Sequence, residues 1–282
     1  DFKKVKLFDQ PAHGACTMIR LNFLKQIGGY NEKFDRQDGY DMWLRAFGKK
    51  RLENINLPLF YYRQHSKNLT SNNSKLLETR SKIIEERSKA INKNKNTLCL
   101  IPIRGQRMDP NSIDMKKLGK KTVIEWTIDE IIKSKKIMDI VVTTPDLNLI
   151  KFLKKKYKKK IILLKRKNNL ARVNSYLEET ILNSCKEYKK LKNKKIDQIA
   201  LISVDTPFKK KHHLDSAINL MNIFKVDMII SVKTEIENFY QHNGQGLQPL
   251  RKNYALKLES DEMYKEISAI KILTEEPKKP IS

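Results

Sequence analysis

The chain has 282 residues, 58 Lys+Arg against 32 Asp+Glu, a formal net charge of +26 and 39% apolar residues. That length fits one large domain or two ordinary ones, with apolar material enough for a buried core, which excludes a wholly disordered chain. Its apolar runs are too short for a membrane-spanning helix, and Cys16, Cys99 and Cys185 are too few and too scattered for a disulfide framework or a zinc cluster.

Residues 1–66 hold the densest aromatic and glycine signals. A short amphipathic stretch, 21–27, runs into Gly28-Gly29-Tyr30, which reads as a helix ending on a left-handed glycine. Residues 41–47 predict a short helix rich in Trp, Leu and Phe, and 57–63 an apolar, aromatic strand. Over 74–91 the pattern becomes that of a charged helix. Leu76, Ile83 and Ala90 recur at seven-residue spacing, over too few heptads for a coiled coil, so a connecting helix is expected, then a loop over 92–96. From Thr97 onward strands and helices alternate. Strand-like runs at 98–103, 140–144, 160–164, 199–204 and 228–232 enclose helical patterns at 123–134, 147–157, 175–190 and 214–224. Near-continuous Ile/Val/Leu strands in a βαβ rhythm imply an α/β fold with a mostly parallel sheet covered on both faces. Ligands of such sheets sit beyond the carboxyl ends of strands, which points at Arg104-Gly105, at 143–146 and at 205–207. No internal repeat is visible. The chain opens at Asp1 in mid-pattern and without an initiating Met, which reads as a piece of a longer protein.

The charge invites a nucleic-acid reading, but 46 of the 58 cationic residues are Lys and they are spread along the whole chain. Base and phosphate readers lean on the planar fork of Arg, so no specific nucleic-acid partner is expected. The densest run, 154–160, holds only Tyr157 among lysines and suits a solvated face or a general attraction to anionic partners.

Three strand ends carry groups with chemistry in them. Ile101-Pro102-Ile103-Arg104-Gly105-Gln106-Arg107, continuing to Leu118-Gly119-Lys120, places two arginines on a glycine loop after the first strand. Backbone N–H groups and guanidinium forks both favour phosphate oxygens, although the spacing is neither a Walker loop nor a Rossmann fingerprint.

The same stretch resembles the opening of the acylneuraminate cytidylyltransferases (CMP-sialic acid synthetases), whose strand ends Ile-Pro-Ala-Arg-Gly before a helix like Leu-Ile-Ala-Trp-Thr-Ile; here that helix reads Val123-Ile124-Glu125-Trp126-Thr127-Ile128. Residues 140–146 resemble the family's Val-Val-Ser-Thr-Asp-Asp, 166–171 its Arg-Pro-x-x-Leu-Ala with Ser175 opening a helix, 203–209 its Gln-Pro-Thr-Ser-Pro-Leu-Arg, and 227–232 its Asp-Ser-Val-Val-Ser-Val. The glycine loop is one residue shorter than the family's, so that Arg107 or Met108 stands where the family has a loop lysine, Arg107 in the register that also aligns Pro110 and Gly119-Lys120, and Ser203 stands in place of the glutamine expected to touch the acidic sugar. Asp205 with Thr206-Pro207 is similar to the strand end of the related 3-deoxy-manno-octulosonate cytidylyltransferases, where Asp holds magnesium; such an Asp is equally common as a helix cap. The resemblance implies a Rossmann-like nucleotidyltransferase domain over 97–282 that transfers CMP from CTP to an acidic sugar. Arg104 and Arg107 would neutralise the phosphates, Gly105, Lys120, Asp146, Arg166 and Ser175 would bind substrate, and Asp205 would hold Mg²⁺. The family's later carboxylate pair would fall after the chain stops. A degenerate domain that binds without catalysis, or a basic polyanion-binding module, is the alternative.

In the first segment, Ile27-Gly28-Gly29-Tyr30-Asn31-Glu32-Lys33-Phe34, then Gln37-Asp38-Gly39-Tyr40-Asp41-Met42-Trp43-Leu44-Arg45 and Tyr61-Tyr62-Arg63-Gln64-His65, resembles the acceptor-side half of family 2 glycosyltransferases, which have the GT-A fold. That likeness implies a glycan acceptor and makes Asp38, with Asp41 next, the base that deprotonates it, with His13 and His65 as candidates to line the site. The other reading of Asp38 is a cap on the helix of Trp43. The nucleotide-sugar half of such an enzyme would precede Asp1. The expected organisation is therefore 1–66 glycosyltransferase-like, 67–96 helical linker and 97–282 cytidylyltransferase-like, serving surface polysaccharide synthesis. The expected location is cytoplasmic, extending to the inner face of the membrane, and a homodimer is left open.

Overall fold

The computed structural model describes residues 17–47, 49, 61, 72–91, 95–235, 237–250 and 263–275. His13, Cys16 and His65, and the strand expected at 57–63 apart from exposed Tyr61, lie outside them. The described chain groups into two compact units, the first drawing on residues up to 94 and Ile218–Val226, the second on Lys95–Ala217 and residues from Asp227 on.

In the first unit, α1 (Leu21–Gln26) ends at Gly28 and Gly29, both at positive φ (89° and 66°), as the Gly-Gly pair predicts. Helix α2 (Asp38–Ala46) starts three residues before the expected 41, because Gln37 takes the left-handed conformation and turns the chain into the helix. Asp38 is thus the first helical residue and not its cap, which corrects the capping reading. Arg45 ties the two helices: Nη1 and Nη2 donate to the carbonyls of Ile27 (2.5 Å) and Gly29 (2.6 Å), and Nε to Asp41 Oδ2 at 2.9 Å. Helix α3 (Asn73–Ile91) carries Ile83 and Ile84 into a core with Phe34, Tyr40, Trp43 and Leu44. Ile223 and Phe224, from the end of α7 (Lys211–Phe224), complete this core, Phe224 meeting Phe47 edge-on at 5.2 Å.

The second unit is built on a six-stranded sheet. Its strands are β1 (Thr97–Pro102), β4 (Ile137–Thr144), β5 (Ile162–Lys165), β6 (Gln198–Ile202), β7 (Met228–Glu235) and β10 (Met263–Thr274), in spatial order β5-β4-β1-β6-β10-β7. β1 pairs parallel with both β4 and β6, and β4 pairs parallel with β5, while β10 runs antiparallel between β6 and β7. The α/β class and mostly parallel sheet expected from the sequence are present. β10 is an addition, as are two small hairpins, β2 (Lys117–Leu118) with β3 (Lys121–Thr122) and β8 (Tyr240–His242) with β9 (Leu247–Pro249). Helices α4 (Val123–Ile131), α5 (Leu147–Tyr157) and α6 (Leu177–Lys192) connect the parallel strands. α6 lays Ile181, Cys185 and Tyr188 on Leu98, Leu100, Val141, Ile199 and Leu201. α4 stops short of the expected 134, since Ser134 leaves the helix to hydrogen-bond Asp215 at 2.5 Å. α6 begins at Leu177, so Ser175 does not open it; its hydroxyl donates instead to the carbonyl of Asn169.

The chain runs outward from β1 through β4 to β5, then returns to β6 on the other side of β1. Strand order therefore reverses beside β1. At such a switch point the loops leaving the two strands diverge and open a crevice at their carboxyl ends.

Candidate functional site

The two loops flanking that crevice are 103–120 after β1 and 203–210 after β6. Arg104 and Asp205 accordingly follow neighbouring parallel strands at one sheet edge, as the sequence predicts. In the first loop, Ile103 extends the β1–β4 ladder by donating to the carbonyl of Thr143 at 3.0 Å. Gly105 then turns the chain at φ +74°, its carbonyl accepting from the amides of Met108 (3.2 Å) and Asp109 (3.0 Å). Among the described residues the amides of Gly105, Gln106 and Arg107 meet no acceptor, so the head of the loop presents N–H groups beside half-buried Arg104 and exposed Arg107.

Asp146 backs this turn. Its Oδ1 caps α5, accepting from the amides of Asn148 (2.8 Å) and Leu149 (3.3 Å). A methyl group on Gly105 would come within 2.5 Å of Asp146 Cβ, so only glycine fits there. Lys120 sits exposed in the β2–β3 turn after Gly119, which has φ +63°. Asp114, fully buried, accepts from the Ser112 hydroxyl, while its Oδ2 has no partner. Burial pushes the Asp114 carboxyl above its ordinary range; the Ser112 hydroxyl opposes that shift and the nearby Asp146 carboxylate adds to it.

Two cations are buried at this edge without a carboxylate in contact. Arg166, 5% exposed, closes the ends of three strands: its amide donates to the Thr144 carbonyl (3.0 Å), and Nη2 reaches across to the Ile103 carbonyl (2.7 Å). Nη1 meets Thr180 Oγ1 at 3.4 Å, and Nε is buried with no partner. Burial, then the neighbouring Arg104 guanidinium, pull its pKa down from 12.5 to about 10. Lys209, 7% exposed, is the second, and sequence reasoning did not single it out. Nζ donates to the carbonyls of Ser203 and Thr206, both at 2.6 Å, and to Thr127 Oγ1 at 3.3 Å. Burial lowers its pKa from 10.5 to about 8, with Cys99 and the Asp205 carboxylate acting in the opposite direction. In sequence Lys209 is one of three consecutive lysines and closes the stretch 203–209, but its residue type does not show that it is buried while Lys210 and Lys211 are on the surface side.

Asp205 is exposed; its amide donates to Ser203 Oγ (3.1 Å) and its Oδ2 accepts from that hydroxyl at 3.0 Å. Helix α7 starts only at Lys211, so Asp205 does not cap it, against the capping alternative. Among the described residues no three His, Cys, Asp or Glu side chains group to hold a metal ion. A lone exposed carboxylate nevertheless suits Mg²⁺, which commonly keeps its waters and takes one or two carboxylates together with substrate phosphates. A separate groove of about 430 Å³ on α4 and α5, lined by Lys121, Trp126, Asp129, Lys133 and Tyr157 among others, contains none of these residues.

In the first unit Asp41 is buried against Arg45, whereas Asp38 is exposed and makes no hydrogen bond or ion pair among the described residues. Of the two acidic residues in the first turn of α2, Asp38 is the exposed one. No described helix is long and apolar enough to cross a membrane.

No protein-family model matches the chain, and a search of curated proteins finds no match. Among solved structures it is similar to 4-diphosphocytidyl-2C-methyl-D-erythritol synthase from Anaerococcus prevotii, at 16% identity and a TM-score of 0.48, over 66% of this chain and 72% of that one. It is also similar to CMP:2-keto-3-deoxy-manno-octonic acid synthetase complexed with CTP, at 13% identity and a TM-score of 0.45, over 64% and 74% of the two chains.

Proposed function

We propose that the second unit is a cytidylyltransferase that moves CMP from CTP onto the hydroxyl of an acidic sugar. The observation that carries this reading is the buried cation Arg166, lying without a carboxylate partner and with its Nε unpartnered among the described residues, at the strand ends beside the switch point. Burying a charge is expensive unless something compensates it, and a polyanion in the crevice is the counter-ion such an edge lacks. The free amides of 105–107, with Arg104 and Arg107 beside them, favour phosphate oxygens over any neutral ligand. In the transfer, the sugar oxygen bonds to the α-phosphorus of CTP as the bond to pyrophosphate breaks, and the hydroxyl proton leaves to solvent. The fixed amides and guanidinium groups stabilise charge on the phosphates as it shifts toward the leaving group, a role that needs no reorganisation at the moment of reaction. Asp205 would hold Mg²⁺, which adds further neutralisation of the phosphates when bound. The first unit, through Asp38, is proposed to serve a glycosyl acceptor, so that sugar activation and chain building would be linked in one polypeptide for surface polysaccharide synthesis.

Calorimetric titration of the whole chain with CTP and Mg²⁺ tests the assignment. Binding that weakens strongly in Arg104→Ala and in Asp205→Ala supports it. Binding indifferent to both substitutions, or replaced by salt-sensitive binding of any nucleic acid, would leave the polyanion-binding module as the function.

A further inference from the structure

The ammonium of Lys209 is held by Thr127 Oγ1 on α4 and by the carbonyls of Ser203 and Thr206. Those two carbonyls belong to residues on either side of Asp205. Ser203, fixed at its carbonyl by Lys209, uses its hydroxyl to hold the Asp205 carboxylate and amide. A hydrogen-bonded chain therefore runs from α4 through Lys209 and Ser203 to an exposed carboxylate at the crevice. An aliphatic side chain would fill the space of Lys209 without the desolvation of a cation, so filling space does not account for a lysine here. It would, however, leave two loop carbonyls without their donor and the loop free to turn Asp205 elsewhere. Ser203, at the position where a sugar-contacting glutamine was expected, is occupied in the same arrangement.

We infer that Lys209 is a positioning residue, clamping 203–206 so that Asp205 faces the metal-bearing triphosphate. The inference rests on the cytidylyltransferase reading. Its content is that Lys209 acts on the metal-dependent part of nucleotide binding through Asp205, beyond any contribution to fold stability.

The whole chain, as wild type, Lys209→Met and Lys209→Arg, is titrated with CTP in Mg²⁺ and again in EDTA, and hydrogen exchange is followed over 203–208. In Lys209→Met the affinity in Mg²⁺ falls about 10–100-fold, while the affinity in EDTA changes less than about threefold, the pattern of a residue that orients a metal ligand. Lys209→Arg, which keeps the charge and the donors, recovers most of the loss, and 203–208 exchanges faster in Lys209→Met while β1 does not. If Lys209→Met does not fold, Thr127→Val, which removes one acceptor of the clamp, shifts both readouts in the same direction. Equal losses with and without Mg²⁺, or unchanged exchange over 203–208, overturn the inference. A wild type that binds no CTP in either buffer, with exchange over 203–208 still accelerated in Lys209→Met, overturns the cytidylyltransferase reading and with it the role toward metal, leaving a clamp of the fold.

Discussion

Replacing Gly105 by alanine tests the architecture of the crevice most directly, because two separate penalties meet at that position. Gly105 has φ +74°, and a residue with a Cβ held in the left-handed region costs about 1–2 kcal/mol. The new methyl would also lie 2.5 Å from Asp146 Cβ and 2.6 Å from its Oδ2, closer than such atoms can approach. Asp146 must then move, and the cap it makes with Asn148 and Leu149 weakens, which costs about 0.5–2 kcal/mol more. The sum, about 1.5–4 kcal/mol, lowers Tm by roughly 3–16 °C for a domain of this size. Gly119→Ala is the matched control: it has φ +63° with open space around the position, so it suffers the backbone penalty alone. Asp146→Gly removes the opposing Cβ, and glycine at a helix N-cap is only a few tenths of a kcal/mol worse than aspartate. In the Gly105→Ala/Asp146→Gly double variant the clash is gone, so thermal unfolding followed by circular dichroism should show a double-mutant coupling of about 0.5–2 kcal/mol in the relieving direction. Equal effects of the two Gly→Ala changes, or additivity in the double variant, would refute the close approach of the Gly105 turn to Asp146.

Two further outcomes are expected. Lys209 has a folded pKa near 8 against 10.5 when free, so between those values the unfolded chain binds more protons and the protein gains stability as pH rises. At about 1.4 kcal/mol per pH unit that gap amounts to about 3 kcal/mol, to be seen as wild-type stability rising relative to Lys209→Met between pH 8 and 10.5 in urea unfolding; a constant difference across that range would contradict the buried charged lysine. In the first unit, Asp38→Asn should change Tm little because the carboxylate is exposed and makes no hydrogen bond or ion pair among the described residues, whereas Asp41→Ala removes a charged hydrogen bond to Arg45 and lowers stability by about 1.5–3 kcal/mol; similar thermal shifts for the two would show the assignment of roles to be wrong.

Features governed by short-range pattern were legible in the sequence. The βαβ rhythm placed β1, β4, β5 and β6 within a few residues of their observed bounds, since these strands are bounded apolar runs, wholly buried in β6 and only partly in β5, and the helices between them show one apolar face. The Gly28-Gly29 helix end was equally readable, because the left-handed region is open chiefly to glycine. From parallel strands alone it also followed that Arg104 and Asp205 share a sheet edge. Only the tertiary structure revealed β10, whose first half is exposed and mixed in polarity and becomes a strand by pairing with β7. The need for glycine at 105 comes from Asp146, a residue on the loop after a different strand. Arg166 and Lys209 look in sequence like members of a lysine- and arginine-rich surface. They become buried cations because a strand end closes over one and the Ser203–Thr206 turn over the other, and desolvation depends on what surrounds a charge in space, which the neighbours in sequence do not determine.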